Sequence, residues 1–183
     1  MFGKGAVICL RKLFYRASAD REYFLREKIL PTAEWTPARR YHGPEMRGGT
    51  ANCSVCISDE PIGSPLVTEP DILIVMNTPS FDRFESKVKS GGRLYADSSM
   101  TERVSERDDI ECTYIPASEM AEKHGLKGMA NIIMLGKMIS DCAAQLPGIT
   151  IDTVKKAFAG IIPAKKADLI EKNITALELG MSM

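Results

Sequence analysis

The sequence predicts an α/β protein, Rossmann-like, with a mostly parallel sheet, flanking helices and a helical C-terminal layer. Three observations predict it. Ile72-Leu73-Ile74-Val75-Met76 is an unbroken apolar run, the pattern of a strand covered on both faces. Phe81, Phe84 and Val88 follow at helical spacing, and Gly91-Gly92 then turns the chain into a second short strand, residues 93–97. Strand, helix and strand in that order form a βαβ unit, which crosses over right-handed in a parallel sheet. Beyond residue 115 the pattern is helical almost throughout, which places a layer of helices at the C-terminal end.

The elements follow in order. Residues 6–30 read as helical, because no glycine or proline interrupts them and charged residues are frequent. Pro31, Pro37 and Arg39-Arg40 mark irregular chain. Gly43-Pro44-Glu45-Met46-Arg47-Gly48-Gly49 is a loop, since three glycines and a proline in seven residues break either regular element. Residues 50–58 read as a strand, and residues 61–65 as loop again. After the central strand, Thr78 is placed as helix N-cap with Pro79 at the first helical position. A last strand covers residues 112–115, and a helix from 117 to 124 is closed by Gly125. Residues 131–145 form a longer helix. Thr150 caps another, with Ile151, Val154 and Phe158 on its inner side. The final helix, residues 163–179, turns Ile170, Ile174 and Leu177 inward and ends at Gly180.

With 183 residues and 44% hydrophobic content, the chain buries one substantial core, and a single domain over residues 1–183 is expected. Lys+Arg and Asp+Glu balance at 24 each, so nothing global points to nucleic acid or an anionic membrane. The balance is uneven: residues 1–47 hold 10 basic and 5 acidic side chains, the rest 14 and 19. A basic start on an acidic body meets an acidic partner or an anionic ligand, or is an ordinary solvated surface. No apolar run approaches the ~18 residues of a membrane span. The first ten residues are too weakly apolar for a signal peptide. A cytoplasmic location is therefore expected, and the odd number of cysteines, 5, suits a compartment that keeps thiols reduced.

Candidate sites are few. Cys53 and Cys56 form a lone C-x-x-C without the second pair that a zinc or iron–sulfur site needs. In a strand their sulfurs point to opposite faces, so they read as small buried hydrophobes. His42 and His124 lack metal-like spacing, and the sequence presents no Ser-His-Asp or Cys-His arrangement. Phe2-Gly3-Lys4-Gly5 is too short for a phosphate loop. The loop from Gly43 to Gly49 is more informative. Its glycines let a ligand or partner approach the backbone, Arg47 offers a planar donor fork for carboxylate or phosphate, and Glu45 orients it or accepts from the ligand. An ordinary turn with a surface ion pair is the alternative. Asn77 and Thr78 stand at the carboxyl end of the most apolar strand, where open parallel sheets bind ligands; alternatively they only start the helix.

Residues 43–98 resemble the gamma subunit of the 2-oxoacid:ferredoxin oxidoreductases. The resemblance is carried by Gly-Pro-Glu-Met-Arg-Gly-Gly-Thr-Ala-Asn-Cys-Ser-Val from Gly43, by Asp-Glu-Pro-Ile-Gly-Ser-Pro-Leu-Val from Asp59, and by Asn77-Thr78-Pro79-Ser80. Residues 131–136 and Asn173-Ile174-Thr175-Ala176-Leu177 fit the family's helical tail more loosely. The resemblance implies a complex that decarboxylates a 2-oxoacid oxidatively with coenzyme A, giving acyl-CoA, carbon dioxide and reduced ferredoxin. It implies thiamine diphosphate, magnesium and iron–sulfur clusters on alpha, beta and ferredoxin-like delta subunits, with coenzyme A as co-substrate. No catalytic residue and no metal ligand fall on this chain, which is then inactive alone. Gly43, Glu45, Arg47, Gly48, Gly49, Thr50, Asn77 and Thr78 become the expected contacts to coenzyme A or a partner subunit. The expected substrate is 2-oxoglutarate, with 2-oxoisovalerate and pyruvate close behind. A stand-alone module binding coenzyme A or a nucleotide, or a non-catalytic scaffold, is the competing reading.

Residues 1–42 are atypical of the family, which opens with a short strand, a turn like Gly-Phe-Gly-Gly-Gln-Gly and an apolar helix. Here the strand reads as absent and the turn as incomplete, residues 8–40 are too basic, and His42 stands where tyrosine is expected. A truncated, divergent or frame-altered start is the expectation. A sheet lacking its first strand would have a raw edge, and with it a homodimer of the isolated chain.

Overall fold

The computed structural model describes residues 6–10, 54–57, 67–144, 149–162 and 167–183. Within them lie strands β1 (Ala6–Leu10), β2 (Ser54–Ile57), β3 (Ile72–Val75), β4 (Arg93–Asp97) and β5 (Glu111–Ile115). They form one sheet in the order β2-β1-β3-β4-β5. β1, β3, β4 and β5 run parallel, and β2 is antiparallel to β1. The predicted mostly parallel α/β architecture is what the chain adopts. Contacts divide the chain into two compact units, one ending at Pro116 and one running on from Ala117 to Met183.

The start of the chain corrects two expectations. Ala6–Leu10 is a strand and not the first turn of a helix, and it pairs with β2 on one side and β3 on the other. Ala-Val-Ile-Cys-Leu is a short continuous apolar run, which periodicity alone does not separate from buried helix. The first strand is therefore present. The raw edge expected from its loss is absent too, because β1 lies inside the sheet. Residues 11–30 of the predicted helix lie outside the described residues, as do residues 50–53 of the predicted strand at 50–58.

β3 is covered on both faces: Ile72, Leu73, Ile74 and Val75 are at most 1% exposed. Helix α1 (Thr78–Phe84) follows, continued by a 3₁₀ turn at Glu85–Lys87. Phe81 and Val88 from this segment bury against Leu73, Val75, Leu94 and Ala96, with Phe84, Ile110, Cys112 and Tyr114 packed at the margin. The spacing explains the cluster. Residues i and i+2 of β3 and of β4 share one sheet face, and the predicted helical stripe meets it. Burying a side chain such as Phe81 contributes about 2–3 kcal/mol.

The turn back into the sheet depends on Gly91-Gly92. Gly91 has φ +77°, and a Cβ on Gly92 would stand 2.7 Å from the Lys89 carbonyl oxygen and 2.9 Å from that of Asp71. The Arg93 amide donates to that Asp71 carbonyl at 2.9 Å, so the crowding belongs to the start of β4.

In the second unit, helix α2 (Ala117–Lys123) ends as predicted at Gly125, whose φ is +68°. Helices α3 (Ala130–Asp141), α4 (Ile151–Ile161) and α5 (Ala167–Met181) complete it. Thr150 caps α4 as expected, through a reciprocal pair with Thr153: the Thr153 amide donates to Thr150 Oγ1 at 3.2 Å, and the Thr150 amide to Thr153 Oγ1 at 2.8 Å. Val154 and Phe158 are buried, as is Leu177 of α5, while Ile151, Ile170 and Ile174 are half-buried. Gly180 does not end α5, which runs on to Met181. It is buried in the contact with α3.

Candidate functional site

Polar groups gather where β3 and β4 end. The chain leaves β1 for β2 on one side and returns to β3 on the other. That reversal is the switch point at which open α/β sheets form ligand crevices outside their carboxyl ends. Asn77 follows β3 with extended backbone (φ −167°, ψ 160°), and its Oδ1 accepts from the Ser80 amide at 3.0 Å and from the Ser80 hydroxyl. The N-cap is thus Asn77 and not Thr78, and Thr78 and Pro79 occupy the first two helical positions. An amide oxygen one residue earlier reaches the third helical N–H, which a residue already inside the helix does not.

Thr78 does something other than cap. Its Oγ1 donates to the Met100 carbonyl at 3.5 Å and accepts from the Glu102 amide at 3.4 Å. The loop after β3 is thereby stitched to the loop after β4. At the end of β4 the Asp97 side chain is fully buried, and its Oδ1 accepts from the Ser99 amide at 3.1 Å, a local turn fixed by a carboxylate. Met100 N–H donates to the Asp97 carbonyl at 3.1 Å. Thr101 is buried, and its hydroxyl has no hydrogen-bond partner among the described residues.

The far end of the same loop is held by Arg107. Its guanidinium donates to both Asp109 carboxylate oxygens, at 2.8 and 2.7 Å, and to the carbonyls of Glu85 at 2.9 Å and Val88 at 2.8 Å. Those carbonyls close the turn after α1, so one side chain ties two segments together. The Arg107 hydrogen bond holds the Asp109 carboxyl below the usual carboxylate range, against its desolvation. Beside it the Ser105 amide donates to the Tyr114 hydroxyl at 2.7 Å, and Ser105 Oγ donates to Glu85. Burial pushes the Tyr114 phenol up.

Of the residues singled out in the sequence, Asn77 and Thr78 stand together at this edge. Gly43, Glu45, Arg47, Gly48, Gly49 and Thr50 lie outside the described residues, as do His42 and Cys53. Cys56 lies within β2. His124 is exposed just beyond α2, its amide donating to the Met120 carbonyl at 3.0 Å. Sequence reasoning missed Asp97, Thr101 and Arg107. A polar Asp-Ser-Ser at the end of a strand was the available signal for the first; Arg107 had none, because its carbonyl acceptors, Glu85 and Val88, lie far away in sequence. Among the described residues no group of three or more His, Cys, Asp or Glu is placed to hold a metal ion. No helix among them is long and apolar enough to cross a membrane.

Parallel strands, a switch point at β1 and polar loops stitched at the carboxyl edge define a Rossmann-like α/β protein. The chain belongs to the pyruvate ferredoxin/flavodoxin oxidoreductase family, whose model matches residues 35–183. It is 39% identical over 150 residues to the ketoisovalerate oxidoreductase subunit VorA of Methanothermobacter thermautotrophicus, covering 80% of this chain and 29% of that one. It is 34% identical over 143 residues to the 2-oxoglutarate synthase subunit KorC of Methanocaldococcus jannaschii, covering 76% and 72%. The chain thus spans under a third of the ketoisovalerate relative. In fold it is similar to a keto/oxoacid ferredoxin oxidoreductase gamma subunit from Geobacter sulfurreducens, with TM-score 0.76, 21% identity and coverage of 98% and 96%. It is also similar to a 2-oxoglutarate:ferredoxin oxidoreductase from Magnetococcus marinus with 2-oxoglutarate, coenzyme A and succinyl-CoA bound. There the TM-score is 0.78 at 17% identity, covering 99% of this chain and 31% of that one. The resemblance to the 2-oxoacid:ferredoxin oxidoreductases, first carried by the loop motif, is borne out.

Proposed function

We propose that this chain is the gamma part of a 2-oxoacid:ferredoxin oxidoreductase, contributing shape and charge to a complex that makes acyl-CoA, carbon dioxide and reduced ferredoxin from a 2-oxoacid and coenzyme A. The observation that carries the reading is the family match over residues 35–183. It runs through both compact units, which supports treating residues 1–183 as one gamma-type domain. Thiamine diphosphate, magnesium and iron–sulfur clusters are assigned to alpha, beta and delta subunits. The cofactor supplies the electron sink, and this chain need only position and screen.

Arg47 in its glycine loop, with Asn77 and Thr78 at the sheet edge, is the proposed contact to coenzyme A or to the partner subunit carrying the reactive centre. The substrate is 2-oxoglutarate in the first reading, supported by the 34% identity to the KorC subunit over most of that protein's length. The higher identity to the VorA subunit, 39%, favours 2-oxoisovalerate as the second.

The test is co-expression of this chain, tagged, with thiamine-binding and ferredoxin-like subunits, followed by assay of coenzyme A-dependent ferredoxin reduction with each oxoacid. A stoichiometric active complex is the expected result. A chain that purifies alone and binds coenzyme A tightly in calorimetry would instead be a stand-alone module. Arg47→Ala in the complex is expected to raise the KM for coenzyme A. Unchanged turnover and KM would leave a scaffold.

A further inference from the structure

Among the described residues, the large hydrophobic side chains left exposed are Met100, Val104 and Met183, at 52%, 71% and 41%. Two of these three stand in one loop, residues 98–110, between β4 and β5. A single exposed apolar side chain is ordinary. A pair on a loop pinned at both ends is not. Thr78 holds the loop at Met100 and Glu102, and Arg107 holds its other end through Asp109 and the Glu85 and Val88 carbonyls. The ordering entropy of the loop is thus already spent inside the chain, and presenting its apolar groups to another surface loses little more.

The loop's charges are also one-sided. Arg103 is engaged by Asp82 at 3.1 Å and Arg107 by Asp109 at 2.7 Å. Glu102, Glu106 and Asp108 are exposed and make no ion pair among the described residues. The surface therefore offers two apolar knobs among three uncompensated carboxylates. Its complement is basic at the rim and apolar at the centre, the arrangement of a specific interface.

We propose that loop 98–110 is a docking arm that seats on a lysine- or arginine-rimmed apolar recess of a partner subunit in the complex. The proposal rests on the gamma reading above, and the loop is continuous with the sheet edge, at Thr78, that this reading turns toward a partner. A second copy of this chain is the competing occupant.

The test uses the co-purified complex and the full-length chain. Affinity for the immobilised partner subunits is measured at low and high salt for wild type, M100S/V104S and E102Q/E106Q/D108N. The apolar pair is expected to weaken binding about tenfold or more at both salts. The carboxylate set is expected to weaken it about tenfold at low salt and to converge on wild type at high salt, where exposed charges are screened. All five side chains are exposed, so melting temperatures should match wild type. Where one does not, V104T and D108N replace the multiple variants. Wild-type affinity in either set overturns the proposal. So does an M100S/V104S chain that loses self-association while keeping its partner. A wild-type chain that retains no thiamine-binding subunit overturns the gamma reading itself, whereas variants that assemble as wild type does overturn only the docking arm.

Discussion

A methyl group on Gly180 would stand 1.9 Å from the carbonyl oxygen of Ile133, and one on Gly136 would stand 2.2 Å from that of Leu177. The two glycines are reciprocal, each on one helix and each facing the backbone of the other. A helical glycine loses about 1 kcal/mol against alanine, so the contact between α3 and α5 must return more than that. Gly180→Ala and Gly136→Ala are expected to destabilise by about 3 kcal/mol, the upper part of the overpacking range. The measurement is the urea midpoint at unchanged slope. A midpoint within error of wild type would mean that the helices separate at no cost.

Arg107 leads to a pH prediction. Its hydrogen bond lowers the folded-state pKa of Asp109 below the ordinary value. The stabilisation is therefore complete above the unfolded carboxylate pKa and is lost as pH falls through the folded one. Asp109→Asn should be less stable than wild type at neutral pH, and the two melting curves should converge in acid. Divergence on acidification would reverse the assigned sign.

Replacing Arg107 by alanine is more damaging than removing Asp109, because it leaves the Glu85 and Val88 carbonyls without this donor. A loss of about 1–2 kcal/mol is expected. Arg107→Lys should recover little of it, since a single ammonium does not reproduce a four-way fork.

The core of the first unit was legible in the sequence because its signals are local. Five apolar residues in a row gave β3, the Phe81–Phe84–Val88 stripe gave the face that packs on it, and paired glycines gave the turn into β4. Elsewhere one signal fits two structures. The apolar run at Ala6–Leu10 is too short for periodicity to separate strand from helix, and the charged residues after it suggested helix. Gly180 reads as a helix terminator or as a close-approach glycine, and only the position of Ile133 decides. Arg107 sits in a charge-dense stretch that reads as solvated surface, yet its carbonyl acceptors lie some twenty positions away. Of the candidate site, Asn77 and Thr78 were placed by the strand they follow. The assignment of Gly43 to Thr50 rests on the loop's glycines and arginine together with family resemblance.

Thr101 carries a buried hydroxyl that has no hydrogen-bond partner among the described residues. Valine has nearly the same shape without that group, so Thr101→Val should raise the stability of the isolated chain by about 1 kcal/mol. Thermal melts of the two proteins decide it. A drop in melting temperature would mean that the hydroxyl is satisfied in solution.

Asn77 separates structure from function within one position. Its Oδ1 caps α1, so Asn77→Ala should cost about 1 kcal/mol, the usual loss of a cap. Asn77→Asp should not, because a carboxylate oxygen accepts from the Ser80 amide equally well and suits a helix N-terminus. The aspartate does, however, place a negative charge at the sheet edge proposed to face coenzyme A or a partner. In the assembled enzyme Asn77→Asp should therefore melt like wild type while raising the KM for coenzyme A or weakening assembly, whereas Asn77→Ala should melt lower. If the aspartate variant assembles and turns over with wild-type constants, Asn77 is a cap and nothing more.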